Sequence, residues 1–223
     1  MNGDELMASL LKKEGVEWIS CFPAQTLINA CSKEGIRPVM CRQERAGVNM
    51  ADSYSRIHNG NKIGVFTMQH GPGAENAFGG VAQAFADNVP ILLIPGGSTK
   101  RRVDVHPGFD AVPNYKHITK WAGRINTIER IPEMVSRAFT HLRHGRPGPV
   151  LLELPGDVGS AEVPGDIEDY EPVKTYKSFA ASEDVRDIIT ALLKAKKPVI
   201  VAGQVLVIAP PGQGVGVFSR IGQ

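Results

Sequence analysis

The sequence carries little net charge: 25 Lys and Arg against 23 Asp and Glu leave +2. That balance provides no basic field suited to nucleic acid, and the single basic cluster, Lys100-Arg101-Arg102, reads as a solvated loop. Cysteine is scarce. Cys21, Cys31 and Cys41 make an odd count at wide spacing that resembles neither a zinc site nor a redox pair, which fits a reducing compartment. Long apolar runs are missing too, so no segment is expected to span a bilayer. Met1 to Glu5 lacks the basic and apolar regions of a signal peptide, and the protein is expected in the cytoplasm. What is present, 42% hydrophobic and 22% charged residues over 223 positions, describes a globular protein with room for one large domain and part of another.

Strand and helix signals alternate from the start. Leu6, Met7, Leu10 and Leu11 recur at helical spacing, Gly15 stops that helix, and Val16 to Phe22 reads as a buried strand ended by Pro23. Gln25 to Lys33 is a second helix, and Arg37 to Cys41 a second buried strand. Ala46, Met50, Tyr54 and Ile57 then mark a third helix. Lys62 to Met68 is a strand, Gly71-Pro72-Gly73 leads into an Ala-rich helix, and Pro90 to Ile94 is a short apolar strand closed by Gly96-Gly97. Ser98 to Asn114 lacks periodicity and reads as a long functional loop. A strand within Ile118 to Ile125, a helix from Ile131 to Leu142 and a strand from Pro149 to Leu154 complete the series. Repeated βα units of this size predict an α/β fold, a doubly wound parallel sheet with helices on both faces.

The predicted domains are 1–158, a linker over 159–181, and the incomplete start of a second α/β domain over 182–223. Within the last, Ser182 is read as the N-cap of a helix and Pro198 to Gly203 as a strand. The tail after Gln204 is Gly- and Pro-rich and cannot make a core alone.

Glu44 is the leading chemical candidate, because it sits where a strand hands over to a helix, the corner at which open α/β sheets keep their ligands. The plainer reading is a first-turn carboxylate in a favourable dipole position. Gly71-Pro72-Gly73 would let a ligand approach backbone N–H groups at a helix start, or is simply a tight turn. Its spacing matches neither a P-loop nor a dinucleotide fingerprint. His70 is either a general acid or base or a structural histidine. No acid or histidine cluster resembles a metal site, and Asp157, Glu168 and Asp169 read as solvated.

Taken in order, Arg42-Gln43-Glu44 with Ala51 to Arg56, Gly64 to Thr67 with Gly71-Pro72-Gly73 and Asn76, Ala82 to Pro90, Lys120-Trp121, Gly148-Pro149-Val150 and Pro155-Gly156-Asp157 form a recognisable set. The set resembles the N-terminal pyrimidine-binding domain of thiamine-diphosphate-dependent enzymes of the acetolactate synthase, pyruvate oxidase and benzoylformate decarboxylase group, over about residues 1 to 180. Ala195 to Gly203 is similar to the opening of that family's central domain.

The resemblance implies thiamine diphosphate as cofactor, 2-keto acids as substrates, and lyase or transferase chemistry. It makes Glu44 the glutamate that hydrogen-bonds the pyrimidine and favours its imino tautomer, with Pro23, Ala24, Thr67, Gly71, Gly73 and Asn76 lining the site. It also implies a homodimer or higher oligomer, with Mg2+ held by a diphosphate-binding domain in cis or in trans. No metal ligand is expected in this chain, and FAD binding is left open. Two features depart from the family pattern: Phe22-Pro23-Ala24-Gln25 stands where a glycine-rich turn is usual, and Phe109-Asp110-Ala111 stands where Phe-Gln-Glu is common. A chain without the diphosphate domain is expected to be inactive alone. The alternative is a non-catalytic assembly module that pairs with a full-length relative.

Overall fold

Asn2 starts the first helix by capping it: its side chain accepts from Glu5 N at 2.9 Å while Glu5 Oε2 accepts from Asn2 N at 3.2 Å. The computed structural model describes residues 1–23, 25–165, 170–176 and 179–199. Helix α1 (Gly3–Lys13) ends at Gly15, whose φ of 84° turns the chain into β1 (Trp18–Cys21). There follow α2 (Leu27–Lys33), β2 (Arg37–Met40), α3 (Glu44–Ile57), β3 (Gly64–Met68), α4 (Pro72–Ala86) and β4 (Ile91–Gly97). A 3-10 turn at Lys100–Arg102, α5 (Ala111–Tyr115), β5 (Trp121–Arg124), α6 (Ile131–Arg143), β6 (Val150–Pro155) and α7 (Gly156–Gly159) complete the first unit, and α8 (Ser182–Lys194) belongs to a second.

Among the described residues all six strands are parallel, in the order β2-β1-β3-β4-β6-β5. Successive residues of the central strands face opposite layers: Val65, Leu92 and Leu152 pack with α1, α2 and α6, while Phe66, Leu93 and Leu151 pack with α3, α4 and α5. This is the doubly wound α/β architecture expected from the sequence. The chain steps outward from β1 to β2 and then crosses back to β3, so the winding reverses between β1 and β3. In open sheets that reversal leaves a ligand crevice at the strands' carboxyl ends.

Several local expectations differ from the structure. β2 is not buried; among the described residues it is an edge strand paired with β1 alone, and Met40 is 55% exposed. Gly96 and Gly97 do not stop their strand but pair within it, Gly96 with Leu154 and Gly97 with Pro155. The Ser98–Asn114 stretch contains the 3-10 turn and the start of α5. Ser182 is the first residue of α8, and the preceding Ala181 caps it with no side-chain hydrogen bond. Pro198 and Val199 lie in no strand, while Ile200 to Gly203, the tail after Gln204, Glu168 and Asp169 lie outside the described residues.

On α3, the residues that recur apolar in the sequence point outward, leaving Ile57 78% exposed, and the helix buries Gly47, Val48, Ala51 and Ser55 instead. Small residues win that face because they let α3 press on the sheet. A Cβ at Gly47 would lie 2.3 Å from the Phe66 ring and 2.9 Å from Cys41 Sγ. Phe66 is fully buried and has nowhere to go. Gly47→Ala is therefore expected to cost about 1–3 kcal/mol by overpacking. An unchanged denaturation midpoint in urea would show that this contact is slack.

The chain divides into compact units at Met1–Lys174 and Thr175–Gln223. Residues after α7 return to the start of the first unit: Gly3 N donates to Ala161 O and Val163 N to Met1 O, each at 3.0 Å, and Val163, Tyr170 and Val173 pack on its core. In the second unit, Val185, Ile188, Ile189 and Leu193 give α8 one apolar face at helical spacing. Among the described residues, no helix is long and apolar enough to cross a membrane.

Candidate functional site

Gln43 is extended, with φ −153° and ψ 139°, and α3 begins at the next residue. Glu44 thus occupies the first helical position, where the helix dipole favours a carboxylate. It is only 6% exposed. Asn76 Nδ2 on α4 donates to Glu44 Oε2 at 3.3 Å, while Oε1 has no hydrogen-bond partner among the described residues. The neighbouring wall is Gly73, where an added Cβ would lie 3.5 Å from Glu44 Oε1, 3.1 Å from Gln69 Cβ and 3.3 Å from Met68 Cβ. The missing side chain keeps space open beside the free oxygen. α3 and α4 approach closely here because Gly80 faces Val48, at 3.1 Å from an added Cβ. Gly71, the N-cap of α4, has φ 67°, a left-handed conformation that favours glycine.

The β1–β3 crevice is closed on one side by a residue that the sequence reading passed over. Gln25 Nε2 donates to Met68 O at 2.5 Å and Thr67 Oγ1 lies 2.7 Å from Gln25 Oε1 and 2.9 Å from Ile94 O. Thr67 is fully buried, with its one hydroxyl proton shared between these acceptors, so it steadies Gln25 and presents no group of its own. The signal was in the sequence, since a polar Gln25 stands at the end of a turn where glycine is usual. Pro23 is exposed beside it, and Ala24 lies outside the described residues.

The Ser98–Asp110 loop forms the outer wall of a cavity of about 680 Å³ at the carboxyl ends of β3 and β4. His70, Gly71, Glu75, Ser98, Arg102 and Phe109 are among its lining residues, and Glu44 is not. The first turn of α4 therefore serves two places, giving Gly73 and Asn76 to Glu44 and Gly71, Pro72 and Glu75 to the cavity. His70 Nε2 is 3.1 Å from Ser98 Oγ, and its Nδ1 is buried without a partner among the described residues.

Charges anchor the loop. Arg124 Nη2 pairs with Asp110 Oδ1 at 2.7 Å, and Arg124 Nε pairs with Glu153. Burial pushes the Glu153 carboxyl above its usual range, against the pull of Arg124. Asp157, expected to be solvated, accepts from Lys100 N at 2.9 Å through Oδ2, and its Oδ1 is buried. Burial also pushes the Cys21 thiol up to about 11 and raises Cys41, so neither supplies a thiolate near neutral pH. No group of three or more His, Cys, Asp or Glu able to hold a metal occurs among the described residues.

Comparison with known proteins places the chain in a family. Residues 1–118 match the family described as thiamine pyrophosphate enzyme, N-terminal TPP binding domain. The chain is 34% identical over 211 residues to the acetolactate synthase large subunit of Lactococcus lactis, covering 91% of this chain and 36% of that protein. It is 34% identical over 200 residues to the glyoxylate carboligase of Escherichia coli O157:H7, covering 87% and 34%. Against the probable acetolactate synthase large subunit of Methanocaldococcus jannaschii it is 31% identical over 221 residues, covering 94% and 37%. It spans little more than a third of the length of these relatives. The chain belongs to the thiamine pyrophosphate enzymes, through their N-terminal TPP-binding domain.

Proposed function

We propose that this chain is the pyrimidine-binding part of a thiamine-diphosphate-dependent enzyme that decarboxylates or joins 2-keto acids. The observation that carries the reading is the state of Glu44, buried at a helix start with one oxygen held by Asn76 and the other free beside Gly73. Bound thiamine diphosphate supplies the carbanion-stabilising centre for cleavage or formation of a bond next to a keto carbonyl. Glu44 holds or donates a proton at a pyrimidine ring nitrogen, in surroundings where water competes weakly. Gly73 and Gly71 leave the ring room, Thr67 fixes the wall through Gln25, and Pro23 stands on the β1 side. The cofactor's diphosphate and Mg2+ fall to a diphosphate-binding domain, joined in cis or supplied in trans.

This division of the site sets an expected affinity. A charge-assisted hydrogen bond contributes about 1.5–3 kcal/mol, whereas micromolar binding needs about 8 kcal/mol. Calorimetric titration of the purified chain with thiamine diphosphate and Mg2+ should therefore show binding weaker than micromolar, tightened when a diphosphate-binding domain is added. Low-micromolar binding by the monomer would sink the half-site reading.

A second reading, a non-catalytic module that pairs with a full-length relative, rests on one observation that the first reading shares. Met40 on β2, Ile57 on α3 and Phe85 on α4 are 55%, 78% and 39% exposed, an apolar population suited to a subunit contact. Both readings involve pairing through the pyrimidine domain. Size-exclusion chromatography combined with turnover separates them, since only the catalytic reading yields activity when the diphosphate domain is supplied.

A further inference from the structure

Helix α8 carries a complete apolar stripe that the described residues leave uncovered. Val185, Ile188, Ile189, Leu192 and Leu193 recur every three or four residues, so they share one side of the helix. No residue of α8 is buried; Ile188 and Leu193 are 59% and 72% exposed. A helix of 13 residues is marginal in water by itself. Covering this stripe against a second apolar surface is what would stabilise it.

The charges around the stripe select the surface that fits it. Glu183, Asp184 and Asp187 outnumber Arg186 in the first half of α8, while Lys194 ends the helix and Lys196 and Lys197 follow its C-cap Ala195. The element is acidic where it begins and basic where it ends. Two copies laid antiparallel about Ile189 place Val185 of each opposite Leu193 of the other, and each acidic first turn beside the other copy's lysines. A parallel pair would set like charges together. The antiparallel contact is self-complementary and closes at two copies. We infer that α8 is a self-association surface whose partner is α8 of a second copy of this chain, packed antiparallel. A helix of this length spans about 20 Å, so the contact falls well short of the roughly 800 Å² per partner of a standard interface. It is accordingly weak and reversible, with a dissociation constant on the order of 10⁻⁴ M. Its residues differ from Met40, Ile57 and Phe85, and it does not depend on the pairing proposed for the first unit.

The test uses the 223-residue chain. In amide NMR spectra taken from about 10 μM to about 1 mM, a range that brackets the expected dissociation constant, the resonances of Val185 to Lys194 should shift with concentration. Ile189→Asp puts two carboxylates at the centre of the contact and should abolish those shifts. Lys196→Glu combined with Lys197→Glu lies outside the helix and leaves the stripe intact; it should weaken association about fivefold, the scale of a few exposed ion pairs. Salt at about 0.5 M should weaken the wild-type contact in the same direction. Helical Cα shifts retained over Ser182 to Lys194 show that α8 survives each substitution. Direction is read with a spin label on Ala195→Cys in a Cys41→Ser background, since Cys21 and Cys31 are buried. Mixed with an isotope-labelled copy, it should broaden Glu183 to Val185 of that copy. Concentration-independent α8 resonances, wild-type association in either variant, or broadening confined to Lys194 to Lys197 would each overturn the proposal. So would an α8 stripe shielded from a soluble paramagnet in a strictly monomeric sample, because its cover would then lie within the chain itself.

Discussion

Glu44→Gln is expected to lower turnover of 2-keto acids by about 10²- to 10⁴-fold in the assembly completed by a diphosphate-binding domain, the range associated with one positioned acid or base. The substitution keeps the size of the side chain and an oxygen that can still accept from Asn76, so α3 and its packing should survive. What it removes is the ionisable group that holds or gives a proton at the pyrimidine. The loss should appear in kcat more than in KM, because the interaction matters most as charge develops during reaction. Matching melting curves and intact Gly47–Phe66 packing would rule out a folding defect. Near-normal turnover with the cofactor bound would remove Glu44 from the chemistry.

Glu44 was legible because its signal is local: a strand, a corner and a helix within a few residues. The same holds for the alternation of elements, where caps, glycine stops and apolar runs are each short-range. Burial at the sheet edge was not legible. Arg37 to Met40 has the residue types of an interior strand, and only the strand order makes it an edge. α3 misled for a related reason, since the apolar stripe from Ala46 to Ile57 looks like a core face while close approach to Phe66 and α4 selects the glycine and alanine face. The cavity was hidden for a third reason. Its loop is shaped by Asp110, Arg124, Glu153 and Asp157, which lie on four different elements or their ends and meet only in the fold. Gln25 stood in a turn already marked as unusual, but its partners Thr67 and Met68 are more than forty positions away.

The other large expected effect concerns a buried carboxylate far from this site in the chain's chemistry but central to its first unit. Glu14 closes α1, and its side chain is fully buried. Arg143 of α6 pairs with it, Tyr170 donates its hydroxyl, and Val173 N donates to Glu14 Oε1 at 3.0 Å. Arg143 in turn donates to Val173 O at 2.6 Å and to Glu14 O at 2.9 Å. Burial and the Glu14 carboxylate push the Tyr170 phenol above its usual range, so it stays a donor at neutral pH. One carboxylate thus ties two helices to the segment that follows α7. Glu14→Ala leaves the Arg143 guanidinium, whose side chain is 15% exposed, without its charge partner. Breaking a buried pair in this way costs about 3–5 kcal/mol, which for a protein of this size lowers Tm by roughly 6–20 °C. Glu133→Ala, which removes an exposed partner of Arg130 and Arg137, should leave Tm essentially unchanged and serves as the control. Limited proteolysis should also cut Glu14→Ala faster near Tyr170 to Tyr176, because two of that segment's anchors are lost. A Tm drop no larger than that of Glu133→Ala, or an unchanged cleavage pattern, would show that the segment is held by its apolar contacts through Val163, Tyr170 and Val173 instead.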